Sequence, residues 1–182
     1  MASIQTLGDP ERRTIARWAA ACAERVLPLV DAEPVALEQV HDAVARARAY
    51  SAGESTAAAE IARRMIAVKA ASSATTPAGA AAARSAAQAS GVAHLAAHAL
   101  GAAAYAVKAV CLANPDRPEA EHEELRWQLA QLTDGERAVL RQLPPVGVDT
   151  SGPLGPGLLS RGILGSVIRR IQAEVGSSET RE

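Results

Sequence analysis

The sequence contains no phenylalanine and only two tryptophans and two tyrosines among its 182 residues. Strands favour aromatic and β-branched side chains, so this shortage argues against a β-rich protein. Alanine is the strongest helix former, and it makes up nearly a quarter of the chain. The composition therefore predicts an all-α protein whose helices pack closely through small side chains.

Cysteine is also scarce, and the net charge is small. Cys22 and Cys111 lie far apart without metal-type spacing, which argues against a disulfide framework and fits a reducing cytoplasm. The 19 basic and 20 acidic residues nearly cancel, whereas nucleic-acid binders usually carry a basic excess. The first residues lack the basic and apolar regions of a signal peptide. We therefore expect a cytoplasmic protein that does not bind nucleic acid.

Residues 85–107 carry no charged side chain, and this length would suffice to span a bilayer. Most of these residues are alanine, and polar side chains such as Ser85 and Gln88 interrupt them. Membrane insertion needs more strongly apolar side chains than alanine. We expect a buried helix here and no association with a membrane.

Prolines, glycines and capping residues divide the chain into about seven helices and a C-terminal amphipathic helix. Helix starts are predicted at Asp9-Pro10, with Asp9 as the cap, at Pro34, near Ser55, at Thr76-Pro77 and near residue 96. Two shorter helices follow the loop at 114–118, and Thr133 and Glu136 form a capping box for the second. This pattern predicts an antiparallel helical bundle or stacked helical hairpins.

The third predicted helix, at about 55–73, has three large apolar residues. Ile61, Met65 and Val68 recur at helical spacing, and we expect them to face the core.

Residues 1–143 are expected to form one helical domain. Residues 144–157 contain four prolines and four glycines, which predicts a linker. Residues 158–182 comprise a last helix, over about 158–175, and a disordered tail. The apolar stripe of that helix consists of Leu159, Ile163, Val167, Ile171 and Val175. It can pack on its own domain or on a second copy, so a homo-oligomer held by this helix is one alternative.

The alanine-rich segment 92–112 has few functional groups, namely His94, His98, Tyr105 and Lys108. On one continuous helix, His94 and His98 would share a face, as in half of a metal site. No HExxH or acidic motif supplies further ligands, so hydrogen-bonded histidines in a close-packed helix pair are the simpler interpretation. We predict no metal, cofactor or catalytic residue. The alternative is a metal- or small-ligand-binding protein or enzyme that uses this face.

The densest acidic run contains Asp116, Glu119, Glu121, Glu123 and Glu124. Acidic side chains stabilise a helix N-terminus, which explains the run without a function. Alternatively, the run forms an electronegative surface that binds a basic partner.

Four segments of the sequence resemble a family of bacterial immunity proteins, the Imm-five-like family. They are RWAAACAERVLPL at 17–29, ARARAYSAGE at 45–54, His94 with HALGAAAYAVKA at 98–109, and RWQL at 126–129. Together they span about residues 10–143. The resemblance implies an all-helical protein that binds and neutralises a cognate toxin of a polymorphic toxin system without catalysis.

Overall fold

The computed structural model describes residues 3–177, which form eight α-helices and no β-strand. The helices are α1 (Asp9–Val26), α2 (Pro34–Ser51), α3 (Ala57–Ala71), α4 (Pro77–Gly91), α5 (His98–Ala113), α6 (Ala120–Ala130), α7 (Asp134–Arg141) and α8 (Gly162–Ser177). The all-α prediction is confirmed. Residues 178–182, the end of the predicted tail, lie outside the described residues.

Proline and threonine set several of the predicted helix starts. Pro34 and Pro77 occupy the first turns of α2 and α4, where a helix needs no backbone N–H donor. The hydroxyl of Thr76 caps α4 by accepting a hydrogen bond from the backbone N–H of Gly79. Thr133 and Glu136 form the predicted capping box at the start of α7.

The first helix differs from the prediction at its cap. Gly8 is the N-cap of α1, and a glycine has no side chain that could accept a hydrogen bond from the first N–H groups of the helix. The carboxylate of Asp9 instead accepts hydrogen bonds from Arg13 at 2.6 Å and from the Tyr50 hydroxyl at 2.8 Å. The prediction that Asp9 caps α1 is therefore wrong, because this carboxylate joins α1 to the end of α2.

The hairpin of α4 and α5 forms the centre of the fold. Ser85 donates a hydrogen bond to the Ala102 carbonyl at 2.7 Å, and Gln88 bonds His98, so the two helices run antiparallel. Most of their alanines are buried, which lets the two backbones approach closely. Five helices pack against this hairpin: α1 contacts both α4 and α5, α2 and α3 contact α4, and α6 and α8 contact α5. Helix α7 packs against α1 and α8. No helix within residues 3–177 is long and apolar enough to cross a bilayer.

Helix α3 is turned the opposite way from the sequence expectation. Its buried apolar residues are Ala67, Ala70 and Ala71, and α3 packs mainly against the alanine-rich α4. Met65 and Val68 are 50% and 46% exposed. The prediction that they face the core is wrong, because two alanine surfaces allow a closer contact between helices than larger side chains do.

Residues 144–157 contain no α-helix, yet they pack against the body of the molecule. The fully buried Gln5 donates from Nε2 to Asp149 Oδ2 and to the Ser151 carbonyl, both at 2.7 Å. Its Oε1 accepts from the backbone N–H of Leu154 at 2.9 Å. The predicted linker is therefore held by a residue near the other end of the chain.

The apolar stripe of α8 is used within the chain. Val167, Ile171 and Val175 are buried, and α8 packs mainly against α5. Residues 158–160 form a short 3-10 turn, so the α-helix itself begins at Gly162.

Candidate functional site

His94 and His98 belong to different local structures. His94 is exposed in the turn at 92–97, whereas His98 is partly buried as the first residue of α5. Both residues nevertheless line one depression of about 150 Å³ between α3, α4 and α5. Met65, Val68 and Gly91 are among the other residues that line it.

A second depression, of about 260 Å³, continues the first along the same helices. The two share Val68, Ala87 and Gln88 as lining residues. The second adds Arg84 and Tyr105. We call the two together the His98 groove, with a narrow end at His98 and a wide end at Tyr105.

His98 is held in one tautomer by Gln88. Its Nδ1 lies 2.8 Å from Gln88 Oε1, and a carboxamide oxygen can only accept, so Nδ1 carries the proton. Nε2 is then left with a free lone pair. Burial, with a smaller effect from His94, lowers the pKa of His98 from 6.5 to about 4. The imidazole in the groove is therefore neutral at pH 7.

Two glycines make room for this pair of side chains. A Cβ on Gly101 would lie 2.3 Å from Gln88 Oε1, and a Cβ on Gly91 would lie 3.1 Å from the His98 ring. Both distances are shorter than ordinary van der Waals contact. Gly91 ends α4, whereas Gly101 lies within α5. Glycine within a helix costs about 1 kcal/mol relative to alanine, and at position 101 it provides the space for the hydrogen bond.

Tyr105 lines the His98 groove, and Lys108 lies outside it. Tyr105 is buried at the wide end of the groove, where burial raises the pKa of its hydroxyl and the charge of Arg84 acts in the opposite direction. Lys108 does not line the groove, and no carboxylate within residues 3–177 pairs with it. The structure thus brings three of the four candidate residues to one groove and leaves Lys108 outside it.

The described part of the chain contains no group of three or more His, Cys, Asp or Glu side chains placed to hold a metal ion. His94 and His98 therefore have no third protein ligand among those residues.

The acidic run at the start of α6 is largely paired with arginine. Arg117 contacts Glu119 at 3.0 Å and Glu123 at 2.8 Å, and Arg170 contacts Glu121 at 2.5 Å. Glu124 is 3% exposed and bonds Arg25 at 2.7 Å. Four of the five carboxylates thus face an arginine, which reduces the negative charge that the run offers to a partner.

Sequence reasoning missed most of the groove lining, including Arg84 and Gln88. The available signals were weak, because an uncharged alanine helix does not reveal which of its polar side chains meet. Gly101 was the better indication, since a glycine within a helix indicates close approach of another group. Here that group is Gln88.

A family model described as Imm-5 like putative immunity protein matches residues 5–135. The chain belongs to this family. The Imm-5 like match confirms the resemblance seen in the sequence, and it covers every residue that lines the His98 groove. No curated protein and no solved structure matches the chain.

Proposed function

We propose that this chain is an immunity protein that binds a cognate bacterial toxin and neutralises it without catalysis. The observation that carries the proposal is the family match over residues 5–135. We place the protein in the cytoplasm, where its free cysteines, Cys22 and Cys111, stay reduced.

The chemistry of the His98 groove supports binding over catalysis. Among residues 3–177 no carboxylate lines the groove, so its histidines lack there the acidic partner that orients a catalytic imidazole. The buried Cys22 has a pKa raised well above its usual range, chiefly by burial, which makes the thiol a poor nucleophile.

The test uses the toxin domain encoded beside the gene for this chain. Co-expression should relieve the growth arrest that this toxin causes, and the two proteins should elute together from a size-exclusion column. Arrest that continues despite abundant, folded immunity protein would contradict the function. Protection without a complex would contradict its non-catalytic mechanism.

The acidic run is a second candidate surface for the same partner. Asp116, Glu119 and Glu123 are its exposed members. If the run makes the contact, Glu119→Lys with Glu123→Lys should weaken toxin binding. If the His98 groove makes the contact, the same double variant should bind the toxin as the wild type does.

A second function, the binding of a small ligand, is favoured by one observation. The His98 groove is concave, and it combines an apolar lining with the lone pair of a neutral imidazole. Native mass spectrometry of protein purified without an affinity tag tests this function. A retained molecule that the His98→Leu variant loses would support the ligand site, whereas a spectrum of bare protein would contradict it.

A further inference from the structure

The charges of this protein are unevenly distributed along the chain. Between Glu60 and Asp116 the sequence contains no acidic residue. The same stretch contains five cations, which are Arg63, Arg64, Lys69, Arg84 and Lys108. It comprises most of α3 and all of α4 and α5. The one carboxylate of these three helices, Glu60 at the start of α3, is buried and paired with Arg46 of α2.

Several arginines elsewhere in the fold have carboxylate partners, and these five cations do not have them within residues 3–177. Arg17, Arg25, Arg46, Arg117 and Arg170 all form ion pairs with carboxylates. Within residues 3–177, no carboxylate pairs with any of the five cations between Glu60 and Asp116. Arg64 donates a hydrogen bond to the backbone carbonyl of Ile61, at 2.9 Å. Their charge is therefore available to a partner.

Large apolar side chains lie among these cations on α3. Met65, Ile66 and Val68 are 50%, 38% and 46% exposed, although a single exposed apolar residue is ordinary. Met65 and Val68, three residues apart, share the side of α3 that lines the groove, because the alanines of α3 occupy its buried side. Ile66 lies on the other flank of the helix and does not line the groove. We call Met65 and Val68, together with Arg64, Lys69 and Arg84, the α3–α4 face.

The His98 groove opens beside this face and has two chemically different ends. The narrow end is lined mainly by apolar groups, including Met65, Val68 and Ala87 around the neutral His98 ring. The wide end carries the guanidinium of Arg84 and the hydroxyl of Ser72. An apolar side chain fits the first, and a carboxylate fits the second.

We propose that the α3–α4 face and the His98 groove bind an acidic segment of a partner protein, in which an apolar side chain lies next to a carboxylate. This inference rests on the proposed function, because the partner protein is taken to be the toxin and the inference describes the chemistry of the toxin surface. Unpaired cations favour an acidic partner through complementary potential. The exposed apolar residues and the groove supply the area that a desolvated contact needs.

A nucleic acid fits this face less well than a protein does. Non-specific nucleic-acid binding needs a dense array of Lys and Arg over the phosphates, whereas here the exposed apolar side chains of Met65 and Val68 lie among the cations. The whole chain has a net charge of −1, which does not attract a polyanion from a distance.

The experiment measures toxin binding by four variants in two matched pairs. Arg84→Glu and Arg161→Glu change the net charge equally at exposed arginines, one in the groove and one outside it. Val68→Asp and Val148→Asp place the same carboxylate at exposed valines. We expect Arg84→Glu and Val68→Asp to weaken binding by about tenfold or more, and their controls to bind as the wild type does. Circular dichroism should show all four folded.

A second probe examines the face without the toxin. A short peptide of leucine and glutamate, and the same peptide with lysine for every glutamate, are titrated into the protein and followed by NMR. We expect the acidic peptide alone to shift the resonances of Gln88 and His98, and Arg84→Glu to abolish the shift.

The outcomes separate this inference from the proposed function. A toxin that binds all four variants equally would overturn the inference and leave the immunity function standing. A toxin that does not bind at all would contradict the function, and the peptides would then decide the inference. The inference would be overturned if both peptides shifted the resonances equally. It would also be overturned if a duplex oligonucleotide bound more tightly than the acidic peptide.

Discussion

Gln88 of α4 accepts a hydrogen bond from Nδ1 of His98, the first residue of α5, at 2.8 Å. This bond crosses the central hairpin at the floor of its groove. It requires glycine at position 101, because any Cβ there would overlap the Gln88 carboxamide. The sequence separates the three residues, and only the antiparallel hairpin brings them together.

The stability of the protein should depend on pH through His98. Its pKa is about 4 when folded, against 6.5 when exposed, so the unfolded chain binds the proton more tightly. Its contribution is therefore complete above pH 6.5 and is lost as the pH falls towards 4, by up to about 3 kcal/mol. Urea unfolding at pH 7 and pH 4.5 measures this loss. His98→Gln should reduce it, and His94→Gln, at the exposed histidine, should not. Equal pH dependence in all three proteins would contradict the assignment.

Gly101→Ala should destabilise the fold by about 1 kcal/mol. Alanine gains about 1 kcal/mol in helix propensity, but it displaces Gln88 and leaves the Nδ1 proton of His98 unpaired, which costs about 1–3 kcal/mol. In a Gln88→Ala background, Gly101→Ala should become neutral or stabilising, because the overlap is gone. A thermal-unfolding double-mutant cycle measures the difference, and strict additivity would show that the two residues do not interact.

Arg17→Met should cost more stability than Glu136→Gln. The carboxylate of Glu136 is 1% exposed and takes two hydrogen bonds from Arg17, at 2.7 Å and 2.6 Å, whereas the Arg17 side chain is 41% exposed. Without Arg17 a buried charge is left uncompensated, at a cost of about 3 kcal/mol, whereas Arg17 without its partner can return to water. Denaturant unfolding measures both variants. A larger loss for Glu136→Gln would rule out this explanation.

Gln5→Ala should release residues 147–157 while most of the molecule stays folded. The Gln5 side chain makes three hydrogen bonds to this segment, through Asp149, Ser151 and Leu154. Alanine removes them all and leaves the N–H of Leu154 without its partner. Amide exchange in the segment should accelerate, while α4 and α5 remain protected. Gln142→Ala, at an exposed position on the same molecule, is the control and should leave the exchange unchanged.

Local signals were enough to predict three of the helix starts. The helix starts at Pro34, Pro77 and Thr133 were correctly predicted because their causes, the lost N–H of proline and the capping hydroxyl, lie within one turn. The cap at Asp9 failed because a distant residue, Tyr50, competes for the same carboxylate. Local rules give the wrong result when a tertiary partner takes the group that they depend on.

The candidate site was predictable in part. His94, His98 and Tyr105 were identified as the few polar groups of an alanine helix, and the structure places all three in one groove. The roles of Gln88 and Arg84 were not predictable, because their meeting with His98 and Tyr105 depends on the register between α4 and α5.

By itself, the sequence determined the helical class, the family and the absence of negative charge between Glu60 and Asp116. These properties follow from composition and from order along the chain. The tertiary structure alone decided which side of α3 is buried. Helical periodicity sorts the residues of a helix into two faces, but it does not show which face packs against a neighbouring helix. Close packing against the alanines of α4 selected the small side chains, and Met65 and Val68 were left facing solvent beside the groove.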